Sequence, residues 1–174
     1  MKKVVVIGTT GSGKSTFANK LAVKLSSPYI QLDKLFWKPN WQWPSEEEFF
    51  QAIRNEIDKE SWIVDGNYTR TQAITWTDAD TVIWIDLPFW LTFYQCFTRS
   101  FKRALSNEEL WPNTGNRESF GRMFSKDSIL LWLFKTYDAN KKKYKDKISN
   151  PLHHHITFHN LKSRKDMEEF LSKI

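Results

Sequence analysis

The sequence predicts an α/β fold, a parallel sheet covered by helices on both faces. Three observations carry the prediction. Short apolar runs alternate with amphipathic stretches along the chain, as in successive strand–helix units. Two runs, "VVVIG" ending at Gly8 and "VIWID" ending at Asp86, are apolar nearly throughout, as strands buried on both faces are. A glycine-rich turn joins the first of them to a helical pattern.

Taken in order, the first strand is Lys3 to Ile7 and the first helix Lys14 to about Leu25. A second strand lies near Tyr29 to Leu32. A helix begins near Ser45, where Ser45 and Glu48 form a capping box, and ends near Lys59. The third strand is Trp62 to Asp65 and the fourth Thr81 to Asp86, followed by a helix from Pro88 to about Leu105. A further helix runs from about Ser125 to Lys145, the fifth strand is His155 to Phe158, and a last helix starts at about Arg164. Between two of these helices, residues 106–123 carry Asn, Pro, Gly and charge and break helical periodicity. Long insertions of that kind between two helices are usually functional or mobile.

The 174 residues make one domain, 40% hydrophobic and 26% charged, with no apolar run near the ~20 residues that span a bilayer. The basic start "MKKVVVIG" runs straight into the glycine turn and does not read as a signal peptide. Cys96 is the single cysteine, in keeping with a reducing cytoplasm. The net charge is +6, much of it in "KKKYKDK" (Lys141 to Lys147). That run is either the solvated end of a helix or a nucleic-acid patch.

Gly8-Thr9-Thr10-Gly11-Ser12-Gly13-Lys14-Ser15 matches the phosphate-binding pattern GxxxxGK[ST], with a strand before it and a helix after it. Its glycines let backbone N–H groups cradle phosphate oxygens, and the helix N-terminus adds its positive end. Lys14 brings charge to the β- and γ-phosphates, Ser15 is a ligand for Mg²⁺, and Thr16 reaches the α-phosphate of ATP. The expected fold is therefore the three-layer P-loop NTPase fold on a five-stranded parallel sheet.

Asp65 ends the third strand, on the sheet edge where ligands bind in open α/β folds. It either holds waters of the Mg²⁺ sphere or caps the next turn. Arg70 suits bidentate phosphate recognition, or is an exposed arginine. Asp33 follows the second strand on the same edge. It can take a proton from an acceptor hydroxyl, position an acceptor phosphate, or cap a helix. Phe36, Trp37, Trp41 and Trp43 form an aromatic cluster that either stacks on a base or sugar or packs as the wall of a lobe, with Trp37 the foremost ligand contact.

The phosphate loop, "DGNYTRTQA" and "VIWIDLP" occur in the order seen in adenylate kinases, whose "LDGFPRT"-like segment resembles the stretch holding Asp65 and Arg70, here with one extra residue between the two. "LDKLFWKPNW", "WIVDGNY", "ADTVIWIDLP" and "NRESF" with "KDSILLW" are similar to bacterial topology modulation proteins, which are adenylate kinase-related. The resemblance covers most of the chain. It implies a nucleoside monophosphate kinase-type domain over residues 1–174, with an acceptor lobe at about 33–60 and a lid at about 106–123. It further implies that Asp65 serves the metal and Arg70 the acceptor phosphate. Asp33 addresses the acceptor, Leu161 and its neighbours Asn160 and Lys162 border adenine, and Arg99, with Arg103 on the same helix, stands at the lid base. In that family lid arginines close over the phosphates, which implies the same for Arg117 and Arg122; the alternative is that they are exposed arginines of a basic protein. Gln95 and Thr75 stand where relatives often have arginine, a departure that weakens phosphate clamping. The lid has no cysteine pair for zinc, and His153, His154 and His155, read as part of a strand, point to alternate faces and do not converge on a metal.

The expected activity is phosphoryl transfer from ATP, with Mg²⁺, to a nucleotide or nucleoside, by a cytoplasmic monomer or homodimer. The alternative is a nucleotide-dependent protein that binds nucleic acid or regulates DNA topology.

Overall fold

The computed structural model describes residues 1–174. Strands β1 (Lys3–Gly8), β2 (Tyr29–Gln31), β3 (Trp62–Asp65), β4 (Thr81–Ile85) and β5 (Thr157–Leu161) form one sheet in the order β2-β3-β1-β4-β5, and every neighbouring pair is parallel. The helices are α1 (Lys14–Lys24), α2 (Leu32–Phe36), α3 (Glu46–Ile57), α4 (Gln72–Thr75), α5 (Phe89–Ser106), α6 (Phe120–Met123), α7 (Ile129–Ile148) and α8 (Arg164–Ser172). This is the expected fold class.

The central strands are apolar on both sides because each side faces a helical layer. Val4 and Val6 point toward Phe17 and Leu21 of α1. Val5 and Ile7 point the other way, toward Phe49 and Ile53 of α3, Trp76 and Tyr144 of α7. The period-2 alternation of a strand thus feeds two cores at once. A smaller third core, Cys96, Met123, Leu130 and Leu133, joins α5, α6 and α7.

The capping box at α3 forms as expected: the Glu48 N–H donates to Ser45 Oγ at 3.2 Å and the Ser45 N–H to Glu48 Oε2 at 2.9 Å. Two boundaries differ from expectation. Helix α7 starts at Ile129 rather than near Ser125, because Ser125–Ser128 makes a turn and Ser128 is the cap, accepting from the Leu130 N–H at 3.2 Å. Strand β5 is Thr157–Leu161, not His155 to Phe158, since pairing with β4 runs from Thr81↔Thr157 to Ile85↔Leu161. Asn150 and Pro151 open a 3₁₀ turn over Pro151–His153, so the three histidines lie in and after a turn rather than in a strand. The His153 ring packs on Trp76 and His155 Nε2 meets the Trp76 carbonyl at 3.2 Å.

Candidate active site

The parallel sheet brings the carboxyl ends of β1, β2, β3 and β4 to one edge, and the phosphate loop leaves β1 there. The loop is held by its neighbours. A Cβ on Gly11 would lie 2.7 Å from the Thr92 carbonyl and 2.7 Å from Cys96 Cβ, so the loop's backbone rests directly on α5. Gly13, with φ 85°, is the N-cap of α1 and supplies no capping side chain; α1 has no acidic residue in its first turn. The first turn of α1 therefore brings no carboxylate of its own to compete with an anion for its amides. Asn67 clamps the start of the loop, accepting from the Gly8 N–H at 3.1 Å and donating to the Gly8 carbonyl. Asn140 of α7 donates to Thr9 Oγ1 at 3.3 Å, and Arg99 Nη2 lies 3.4 Å from Thr10 Oγ1.

Asp65 is 2% exposed at the end of β3. Its Oδ2 accepts from the Tyr29 hydroxyl at 3.1 Å, while its Oδ1 is buried without a partner. Burial pushes the Asp65 carboxyl up, opposed by the charge of Lys14 and by the nearby Ser15 hydroxyl. An orphaned carboxylate oxygen near a serine hydroxyl offers oxygen donors that suit Mg²⁺, and the lysine beside them suits the phosphates. Residues Ser15 and Asp65 fit that ion.

Asp33 lies in the first turn of α2, two residues beyond Gln31, which pairs with Asp65. Its Oδ1 accepts from the Tyr68 hydroxyl at 2.7 Å. Burial, then the Asp33 charge and this bond, push the Tyr68 phenol up, so it stays a donor. Two tyrosine–aspartate pairs thus stand side by side, and the Asp33 charge adds to the cost of ionising Asp65.

Beyond Asp33 the aromatic segment divides. Phe36 packs on Phe49 (5.2 Å between centroids) and Tyr68 (4.9 Å) inside the lobe. Trp37 and Trp41 meet each other at 5.6 Å and both meet Trp111 of the 106–123 insertion; the Trp37–Trp111 pair is stacked at 5.7 Å. Trp43 is exposed. Buried Asn116 accepts from the Trp41 N–H and donates to the Lys38 carbonyl, each at 2.9 Å. The insertion is therefore pinned to the segment from Trp37 to Trp41.

The cations separate accordingly. Arg99 reaches the phosphate loop, with its Nε buried and unpaired. Arg103, one turn on, is pushed down by burial and by Arg99, against Glu118, Glu108 and Asp33. Arg117 donates to the Asn107 carbonyl within the insertion, and Arg122 sits 3.6 Å over the Trp41 ring. Arg70 lies over Phe36 and Phe49 and pairs with Glu46 at 3.6 Å. Leu161, nearly buried at the end of β5, accepts from the Asp86 N–H at 2.8 Å, and Met167 of α8 borders Gly13. A broad surface groove lined by Lys3, Arg54 and Asp78 lies at the opposite end of the sheet, away from the phosphate loop.

Sequence reasoning missed Asn67, Tyr68, Tyr29, Trp111 and Asn116. Asn67 and Tyr68 follow Asp65 directly in "DGNY", which is the one local signal that they face the same edge. The others join segments far apart in the chain.

The fold has known counterparts. Shikimate kinase from Bacteroides thetaiotaomicron superposes with a TM-score of 0.50 at 14% identity, over 98% of this chain and 94% of that one. Shikimate kinase from Acinetobacter baumannii, in complex with shikimate, gives 0.55 at 15% identity, over 99% and 90%. A gluconokinase from Sinorhizobium meliloti 1021 gives 0.50 at 13% identity, over 99% and 92%. At such identities the likeness is one of fold. No curated protein matches the chain. The family model described as RNA helicase matches residues 4–132, which hold the phosphate loop, four of the five strands and both aspartates. On that match, which spans well over half its length, the chain belongs to the RNA helicase family, and it carries the five-stranded fold of the P-loop kinases.

Proposed function

We propose that the protein is a cytoplasmic, ATP- and Mg²⁺-dependent small-molecule kinase of the adenylate kinase-like type, with a nucleotide or nucleoside as acceptor. One observation carries the reading: a second carboxylate, Asp33, is held by Tyr68 beside Asp65 and the phosphate loop. A phosphate switch or motor needs the loop and Asp65; an acceptor needs Asp33 as well.

In this reading the loop amides, Lys14, Ser15 and Thr16 bind the triphosphate, and adenine lies against Leu161. Ser15 and Asp65 hold Mg²⁺, which when bound neutralises charge on the phosphates. Residues 33–60 receive the acceptor, with Trp37 and Arg70 at its edge. For a hydroxyl acceptor, Asp33 takes the proton as the new O–P bond forms and the bond to the β–γ bridging oxygen breaks. For a phosphate acceptor Asp33 orients it. Arg99 stands ready at the loop. Arg117 and Arg122 reach the phosphates only when the 106–123 lid leaves the contacts described above.

The test is an acceptor screen with γ-labelled ATP and Mg²⁺ over nucleotides, nucleosides and hydroxy acids. Transfer to one class, lost in Lys14→Ala with the fold intact, is the expected result. ATP turnover with no labelled acceptor in any class defeats the kinase reading.

The family description favours a second reading, nucleotide-dependent RNA binding. The basic run on α7 supports it only weakly. Lys141 pairs with Asp86 at 3.0 Å, Lys143 donates to Thr69 at 2.6 Å and Lys147 lies over Trp76, so Lys142 and Lys145 are the exposed remainder. A gel-shift titration over salt separates the readings, because phosphate-driven binding weakens steeply as salt rises.

A further inference from the structure

Helix α5 has two different faces. Thr92, Cys96 and Ser100 are buried, against the phosphate loop and the third core. On the outer side Trp90, Tyr94, Phe97, Phe101 and Leu105 are exposed, Trp90 by 73%, where a helix at the edge of a monomer ordinarily carries polar residues. Their steps of four, three, four and four residues keep them in one seam, the spacing of helices that pack on helices. The seam is continuous. Trp90 meets Phe93 at 6.1 Å, Phe93 meets Phe97 at 6.3 Å, and Phe97 meets Phe101 at 6.1 Å. Phe120 of α6 extends it from Phe101 at 5.4 Å, and Phe134 of α7 flanks it at Phe93, also at 5.4 Å.

We propose that this face is the interface of a homodimer, in which the two α5 helices cross antiparallel about a two-fold axis between Phe97 and Thr98. Two observations choose a second copy of the chain. The first is area. At about 150–250 Å² per aromatic side chain and roughly half of that exposed, the seam with its two flanks presents on the order of 700 Å². That exceeds the ~300–600 Å² of the largest patch on a typical monomer and approaches the ~800 Å² that each partner gives to a stable interface. The second is symmetry. Reversed about the midpoint of Phe97 and Thr98, Trp90 falls opposite Leu105 and Tyr94 opposite Phe101. Phe97 lies beside the axis, opposite Thr98, so the two ends of the seam match apolar with apolar, as a two-fold interface requires and a partner of unrelated sequence does not. Because the inner face of α5 seats Gly11 and carries Arg99, such a dimer braces the helix behind the phosphate loop.

Sedimentation equilibrium of the full chain tests this, with circular dichroism to confirm that each variant is folded. The wild type should sediment as a dimer of the 20.7 kDa chain. Tyr94→Glu and Phe101→Lys should each raise the dimer dissociation constant about a hundredfold or more, by placing an unpaired charge in an apolar contact. The double variant should regain the dimer, since position 94 of one copy meets position 101 of the other. A wild type that stays monomeric throughout the micromolar range overturns the proposal. So does a monomer that co-sediments with phosphatidylglycerol vesicles, a single variant that remains dimeric, or a double variant that remains dissociated.

Discussion

The phosphate loop and the proposed acceptor lobe share one edge of the sheet, yet they are built from different materials. The loop is backbone: Gly11 rests on α5, and Asn67 grips Gly8 at both its N–H and its carbonyl. The acceptor side is side chains drawn from separated segments, with Trp37 and Trp41 meeting Trp111 and with Asn116 stitched to residues 38 and 41. A backbone cradle recognises phosphate, which every nucleoside triphosphate has. A side-chain wall can be changed residue by residue, and in the proposed function that is where the identity of the acceptor would be set.

The sharpest way to break this contrast is Gly11→Ala. The new Cβ has no room against Thr92 and Cys96, and φ of +81° is strained for alanine. Backbone strain and overpacking together should cost about 3 kcal/mol. We expect ATP affinity to fall about a hundredfold, measured by calorimetry, while acceptor binding measured without ATP changes little. Equal loss of both would mean that loop and lobe are one mechanical unit.

Trp111→Ala probes the other side, with a smaller effect. Losing the stacked Trp37 contact should raise the KM for the acceptor about tenfold, near 1.4 kcal/mol, and leave the KM for ATP within twofold. The opposite split would show that the 106–123 insertion serves the donor, as a lid over the phosphates does.

How much of this was legible in the sequence follows from the same contrast. The phosphate loop, the Ser45–Glu48 box and four strands are local patterns, in which neighbours in sequence are neighbours in space. Asp33 and Asp65 were also readable as candidates, because strand ends fix their edge of the sheet. Their partners were not, since Tyr29–Asp65 and Tyr68–Asp33 pairings depend on how β2 and β3 lie side by side. Trp111 was hidden for the same reason, being placed by the fold of an insertion with no period. The fifth strand slipped by a few residues because "PLHHHITFHNL" has no strong alternation; its register is set by β4.

The two tyrosine–aspartate pairs give the finest division between the regions. Removing one hydroxyl costs roughly 1 kcal/mol, so each effect should be severalfold rather than complete. Tyr68→Phe should raise the acceptor KM or lower kcat with the Mg²⁺ requirement unchanged. Tyr29→Phe should instead shift the Mg²⁺ dependence, because its bond orients the Asp65 carboxylate. The pairs also predict a pH response. Burial first, then the adjacent aspartate, raises both phenols above their ordinary value of 10.0. A raised phenol contributes stability that is whole below the unfolded value and is lost as pH climbs through the folded one. Thermal melting should therefore show the wild type losing stability above about pH 10, with a shallower loss in either Phe variant. If Tyr68→Phe altered the Mg²⁺ requirement and Tyr29→Phe the acceptor KM, the roles of Asp33 and Asp65 would have to be exchanged.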